Sequence, residues 1–301
     1  MQAHHGEPND KRGASMKILV TGGAGRTGRQ LAGMLAAQGH QIRIFDLPVV
    51  DYTGLEQFEI TKGDLTDQAT SGPIVKGVDQ VLHLAAILPP ASERDRGRTF
   101  AINVEATRYL CDACKKYGAE MVFTSSVVVY GNSSGLVPPV RVDYPRQPVD
   151  IYGDSKVASE NVVLNSGVPA TILRISGISV PAFLEPPRPW PFTAAQRMEF
   201  VAVADVAQAI AGAVNNRKAR GKVLNVAGGA TWRTTGREYV RQVYAAYSAA
   251  GLDLDEPTFL DEVHEFDWYD TNEAEDLLKF QQTSLPLFLE QLQKAVEEAL
   301  G

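Results

Sequence analysis

Residues 17–28 read KILVTGGAGRTG, and they decide how the rest of the chain must fold. Ile18, Leu19 and Val20 form an apolar run too short for a helix, and the run stops at Thr21 and a cluster of glycines. That pattern predicts a buried parallel strand running straight into a tight turn. Gly23, Gly25 and Gly28 fit G-x-G-x-x-G, while Gly22, Gly25 and Gly28 fit the looser G-x-x-G-x-x-G. Residues 29–37 then continue as a helix. In such a unit one glycine makes the turn, one lets backbone N–H groups approach a pyrophosphate, and one lets the helix pack close to the strand. The helix N-terminus then faces the phosphate charge.

About twenty residues further on comes an acid at a strand end, the spacing that separates a dinucleotide site from an ordinary glycine loop. It is Asp46, closing the apolar strand Ile42-Arg43-Ile44-Phe45. Its carboxylate is positioned to accept hydrogen bonds from an adenosine ribose and to repel a 2′-phosphate, so NAD is expected over NADP. Arg26, inside the glycine turn, pulls the other way, since a guanidinium there can meet a phosphate.

At 301 residues the chain has ample length for a core, and its net charge of −7 argues against a general nucleic-acid or acidic-membrane binder. Cys111 and Cys114 form a single C-x-x-C within a helical pattern. With no second pair and no helix start beside them, they read as two ordinary reduced thiols. No apolar run approaches a membrane span, and residues 1–15 are polar with no signal-like apolar segment. The expectation is a cytoplasmic protein with a disordered leader over 1–15 and a folded chain from about Met16, with no metal role for His4 or His5.

Strand and helix patterns alternate from Met16 onward, the signature of a doubly wound parallel sheet. Strands are expected at 58–61, 80–84, 121–124, 170–174, 200–203 and 223–226. Helices are expected at 98–117, 149–164, 206–214 with Asp205 as its cap, 237–249 and 285–300. His83 reads as a packed strand histidine. The glycine- and proline-rich connection 131–147 is long enough to cover a site.

Tyr152 and Lys156 are four apart on one predicted helix, so they share a face. A tyrosine is a poor base at neutral pH unless a nearby ammonium and a positive nicotinamide favour its phenolate. With that help Tyr152 can take a proton from a substrate hydroxyl while hydride leaves the carbon. Ser126, at the C-terminal edge of a neighbouring strand, can bond the same substrate oxygen, and Lys156 can reach ribose hydroxyls.

These motifs together resemble an extended short-chain dehydrogenase/reductase of the NAD-dependent epimerase/dehydratase family. The resemblance runs through TGGAGRTG, GDLTD at 63–67, HLAA at 83–86, NVEAT at 103–107, SSVVVYG at 125–131, YGDSK at 152–156, LRISG at 173–177, VAVADVAQAI at 201–210 and LNVAGG at 224–229. It implies a Rossmann α/β domain over 16–176, with 200–228 returning to it. It also implies a small C-terminal substrate-binding subdomain formed from 177–199 and 229–301. It implies Ser126, Tyr152 and Lys156 as the catalytic triad. It implies NAD contacts from Gly22, Gly25, Arg26, Thr27, Gly28, Asp46, Asp64, Leu65, Leu84, Ala85, Ala86, Asn103 and Ile178, besides Tyr152 and Lys156. It also implies a homodimer through the helices bearing Asn103 and Tyr152.

The chain departs from the family's nucleotide-sugar dehydratases. Val127 and Val128 follow the serine where those enzymes resemble one another in carrying proton-transferring acids, which argues against dehydration. Gly177 stands where their relatives carry Asn, and the segment 178–204 is short, so a smaller substrate is expected. Arg197 falls where a substrate-binding arginine is common, and can fork onto phosphate or carboxylate. Arg94, Arg96 and Arg98 are further candidate anion contacts. The leading expectation is hydride transfer to or from a secondary alcohol or carbonyl of a sugar or sugar derivative. The alternatives are a nucleotide-sugar epimerase and an NAD(P)-sensing protein of the NmrA-like kind, which typically lacks the Tyr and Lys retained here.

Overall fold

The computed structural model describes residues 15–182, 185–262 and 266–301. All of the expected leader except Ser15 lies outside the described residues. The strands are β1 (Lys17–Thr21), β2 (Gln41–Asp46), β3 (Glu59–Lys62), β4 (Gln80–His83), β5 (Glu120–Ser126) and β6 (Ala170–Ile175), then the short β7 (Ile178–Ser179), β8 (Arg197–Met198) and β9 (Val201–Ala202), and finally β10 (Val223–Val226) and β11 (Thr234–Thr235). The α-helices are α1 (Arg26–Ala37), α2 (Gln68–Val75), α3 (Arg96–Phe100), α4 (Ala106–Tyr117), α5 (Ile151–Asn165), α6 (Val203–Ala213), α7 (Gly236–Ala249), α8 (Asn272–Leu278) and α9 (Leu285–Leu300).

Seven strands make one sheet in the order β10-β6-β5-β4-β1-β2-β3, and every neighbouring pair is parallel. The strand order reverses between β1 and β4. Ligands of such sheets bind outside the carboxyl ends of the strands at that point. Alternation along β1 feeds both layers. Ile18 and Val20 pack with Leu31 and Leu35 of α1 and Val206 and Ile210 of α6. Leu19 packs on the other face with Leu110 of α4 and Val163 of α5. Burial on both faces explains why the central strands read as continuous apolar runs.

A separate cluster joins Trp190, Phe192, Trp232, Tyr239, Val243 and Phe288, tying α7 and α9 to the segment before β8. Ala274 and Leu278 of α8, with Phe280, pack instead into the sheet-side cluster of α1 and α6.

Several elements differ from expectation. The helix over 98–117 is divided into α3, a π-helical turn Ala101–Glu105 and α4. The carbonyl of Asn103 within that turn accepts from the Thr107 hydroxyl at 2.6 Å and the Ser159 hydroxyl at 2.8 Å. The strand expected at 200–203 keeps only Val201 and Ala202, and α6 starts at Val203. Asp205 therefore lies in the first turn of α6 rather than at its cap, and its carboxylate accepts from the Thr283 N–H and hydroxyl at 3.0 and 2.9 Å. The connection 131–147 does not line the cleft described below. It is stitched to the far end of the chain, the Val140 N–H donating to the Trp268 carbonyl at 2.7 Å and the Asp270 N–H to the Val140 carbonyl at 2.9 Å.

Candidate active site

The glycine turn delivers β1 into α1 with the N-terminus of the helix uncovered. Gly22 sits at φ +69°, and a Cβ there would meet the Ala85 backbone nitrogen at 2.9 Å. Gly28 packs against the turn so tightly that a Cβ would lie 2.6 Å from the Gly22 carbonyl oxygen. Gly25 is the N-cap of α1, and no side chain caps the first turn. Its backbone N–H groups are left for an anion. Asp46, at the end of β2, already faces the turn: Oδ2 accepts from the Ala24 N–H at 3.0 Å and Oδ1 from the Leu47 N–H at 2.9 Å.

A cleft of about 580 Å³ opens above these groups. Gly22, Gly25, Arg26, Thr27, Gly28, Asp46, Leu84, Ala86 and Ile178 line it, and so do Ser126, Tyr152 and Lys156. A second hollow shares Gly22, Asp46 and Ala86 with the cleft and adds Asp64, Leu65 and Ala85. The sequence-derived cofactor residues are thus brought together, with the exception of Asn103, which lines neither. Asn103 works behind the wall. Its Oδ1 accepts from the Ile87 N–H at 2.9 Å, and its Nδ2 donates to Ser155 Oγ at 2.9 Å.

His83 is fully inside and not on the cleft wall. The Thr21 hydroxyl meets its Nδ1 at 2.7 Å, and its Nε2 meets Thr107 Oγ1 at 3.0 Å. Because the Thr107 hydroxyl donates to the Asn103 carbonyl, the network assigns the proton to Nε2. Burial, and secondarily the Lys156 charge, lower the His83 pKa to about 3, so the ring is neutral.

The chemistry-bearing side chains come from two elements. Ser126 ends β5 and caps the 3₁₀ turn Val127–Tyr130, accepting weakly from the Val128 N–H at 3.4 Å. Tyr152 and Lys156 sit one turn apart on α5. Lys156 is buried, donates from Nζ to the Thr124 carbonyl at 2.9 Å, and lies 5.6 Å from the centre of the Tyr152 ring. Burial lowers its pKa to about 8, opposed by the Glu160 carboxylate. Burial raises the Tyr152 phenol, with the Asp150 carboxylate adding to the effect. Among the protein's own groups the phenol is therefore held protonated, and the positive charge of an oxidised nicotinamide acts in the opposite sense.

Sequence reading missed the support beneath Tyr152. Glu93 accepts from the N–H groups of Ile151 and Tyr152 at 2.9 and 3.1 Å, and Asp150 accepts from the Gly153 N–H at 2.6 Å. It also missed the role of Arg174, which forks onto Glu160 at 2.9 and 2.8 Å while Glu160 accepts from the Ser125 hydroxyl at 2.6 Å. Arg96 of the candidate anion loop pairs with Asp154 at 2.6 Å. Arg98 lines the hollow beside Asp64. Neither Gly177 nor Arg197 lines the cleft. The Arg197 guanidinium is forked onto Asp267 at 2.5 and 2.8 Å. Cys111 and Cys114 are free and buried, and burial pushes the Cys111 thiol up to about 11 and Cys114 higher still.

Residues 18–186 match the NAD dependent epimerase/dehydratase family. The chain belongs to that family. A 3β-hydroxysteroid dehydrogenase/Δ5→4-isomerase of Mycobacterium tuberculosis is 34% identical over 173 residues, 54% of this chain and 47% of that protein. D-erythronate dehydrogenase of Cupriavidus necator is 33% identical over 183 residues, 55% of this chain and 56% of that protein. The chain thus spans about half the length of the curated relatives it matches. A short-chain dehydrogenase/reductase superfamily protein of Agrobacterium tumefaciens, solved with bound NAD, superposes with a TM-score of 0.79 at 26% identity, covering 94% of this chain and 98% of that one. NAD is the cofactor named for the family and bound in that neighbour. The residues of this member suit it: a glycine turn with no room for side chains, an uncapped helix start and an acid at the end of β2. Among the described residues no helix is long and apolar enough to cross a membrane.

Proposed function

We propose that this chain is an NAD-dependent oxidoreductase acting on a secondary alcohol or its ketone, with Ser126, Tyr152 and Lys156 as its catalytic groups. The observation that carries the reading is that these three side chains line the same cleft as the glycine turn and Asp46. Bound NAD would supply the hydride acceptor, with its pyrophosphate at Gly25–Gly28 and its adenosine ribose at Asp46.

The protein's own work is proton handling and orientation. Ser126 Oγ holds the substrate oxygen at the end of β5. Tyr152 takes the hydroxyl proton as the carbinol carbon becomes a carbonyl, and returns it in the reverse direction. Lys156, fixed on the Thr124 carbonyl, presents its ammonium to the phenolate and stabilises it. Val127 is fully buried and Val128 carries no proton to give, so elimination chemistry has no acid beside the serine. Retention of both Tyr152 and Lys156 in the cleft supports turnover over mere sensing of NAD.

The test is calorimetry with NAD and NADP, followed by a screen of secondary alcohols, sugar acids and nucleotide sugars for NADH absorbance. Tight NAD binding with NADH formed on one alcohol class supports the reading. Tight binding with interconversion of nucleotide sugars and no net NADH replaces it with an epimerase.

A further inference from the structure

Beside the cleft, apart from the hollow at Asp64, lies a further cavity that no motif announced. It measures about 220 Å³ and shares Ile178 with the cleft wall. Its other walls include Trp190, Phe200, Tyr239, Val243 and Leu292. Phe200 meets Tyr239 edge-on at 5.1 Å, and Trp190 meets Tyr239 edge-on at 6.2 Å. The wall is sparing in polar groups. The hydroxyls of Ser179 and Tyr239 satisfy each other at 3.0 Å. The buried Nε1–H of Trp190 has no partner among the described residues. Glu185 is the only charged residue on the described wall.

We infer that this cavity receives the body of the substrate, and that the body is apolar and uncharged, of about one to two rings. The inference rests on the proposed oxidoreductase reading and adds the substrate class. Size sets the scale: an apolar cavity of about 150 Å³ accommodates benzene. Charge excludes the alternative. A nucleoside diphosphate needs cations, yet no lysine or arginine lines the described wall. Arg197, Arg233 and Arg188 are held by Asp267, Glu199 and Asp255.

Gly177 is what lets the wall form. A Cβ at that position would stand 2.5 Å from the Phe200 ring. Any side chain there displaces Phe200, so the absence of one at residue 177 shapes the cavity without touching its contents.

The experiment compares kcat/KM for NAD reduction with 2-propanol, 2-octanol and 1-indanol on one side, and glycerol, D-glucose and UDP-glucose on the other. Each buried methylene is worth roughly fourfold in binding, so kcat/KM is expected to rise by at least about tenfold from 2-propanol to 1-indanol. Val243→Phe, which fills the cavity, is expected to shrink that ratio to within about twofold, and Gly177→Asn to shrink it as well. NADH formation on glycerol, glucose or UDP-glucose with no gain from an apolar body overturns the inference and leaves the oxidoreductase reading intact. If no alcohol of either kind yields NADH, that reading fails, and calorimetry with 1-indanone decides the cavity by itself. Saturable binding weakened at least about fivefold by Val243→Phe supports it, and no saturable binding overturns it.

Discussion

Glu93 caps the helix that carries Tyr152, its Oε1 accepting from the Tyr152 N–H at 3.1 Å and its Oε2 from the Ile151 N–H at 2.9 Å. The carboxylate comes from the loop after β4 and lies near the positive end of α5, where negative charge is favoured. Removing it frees the first turn, and Tyr152 is on that turn. Glu93→Ala is expected to cost about 0.5–2 kcal/mol of stability. It should lower kcat several-fold more than it raises KM, with NAD affinity little changed. Glu93→Gln, which retains one acceptor oxygen, should recover part of kcat. An unaltered kcat in Glu93→Ala would separate the cap from catalysis.

Asp46 is expected to set the cofactor. Its carboxylate is held at the glycine turn by the Ala24 and Leu47 N–H groups, where it meets a ribose hydroxyl and opposes a 2′-phosphate. Asp46→Asn keeps the size and removes the charge. Calorimetry should show weaker NAD binding and relatively stronger NADP binding, with Arg26 available to the added phosphate. Retained discrimination would move the selectivity elsewhere.

The Arg174–Glu160 pair is the most deeply buried ion pair beneath the site, with side chains 5% and 0% exposed. Arg174→Met leaves Glu160 with Arg146 and Ser125 alone. Breaking such a pair costs about 3–5 kcal/mol, so the urea midpoint should fall markedly. A shift within about 1 kcal/mol would mean that Arg146 compensates.

Acid should destabilise the fold through His83. Its folded pKa of about 3 lies below the ordinary histidine value of 6.5. The unfolded chain takes up the proton first, so stability is full above about 6.5 and declines as pH falls towards 3. The melting temperature should drop between pH 7 and 5, and the drop should be smaller in His83→Asn. An equal drop in both would assign the effect to other groups.

Much of this was legible because it is local. The strand, glycine turn and helix of residues 17–37 are encoded by neighbours, and α9 runs over Leu285–Leu300 as its periodicity predicts. Tyr152 and Lys156 were findable because four-residue spacing puts them on one face. What escaped reading depends on partners far along the chain. Glu93 acts 59 residues away on Tyr152, and Arg197 is claimed by Asp267, 70 residues away. At the π-helical turn the Asn103 carbonyl accepts hydroxyls from two helices, and the Ser159 contact spans 56 residues. Helix α2 has no counterpart among the expected elements: its proline and glycine interrupt a helical pattern whose start Asp67 caps through the Ala69 N–H at 3.0 Å. The apolar cavity is assembled from β7, α7, α9 and the segment around Trp190, which share no spacing rule.

The central claim is that Tyr152 is the proton-transferring group of an NAD-dependent oxidoreductase. Its most direct test measures NAD affinity by calorimetry and turnover by NADH absorbance in the wild-type protein and in Tyr152→Phe. The account predicts turnover reduced by at least about a hundredfold with NAD binding largely retained, since the phenol carries the proton while the glycine turn and Asp46 still line the cleft. Turnover in Tyr152→Phe equal to wild type would contradict it.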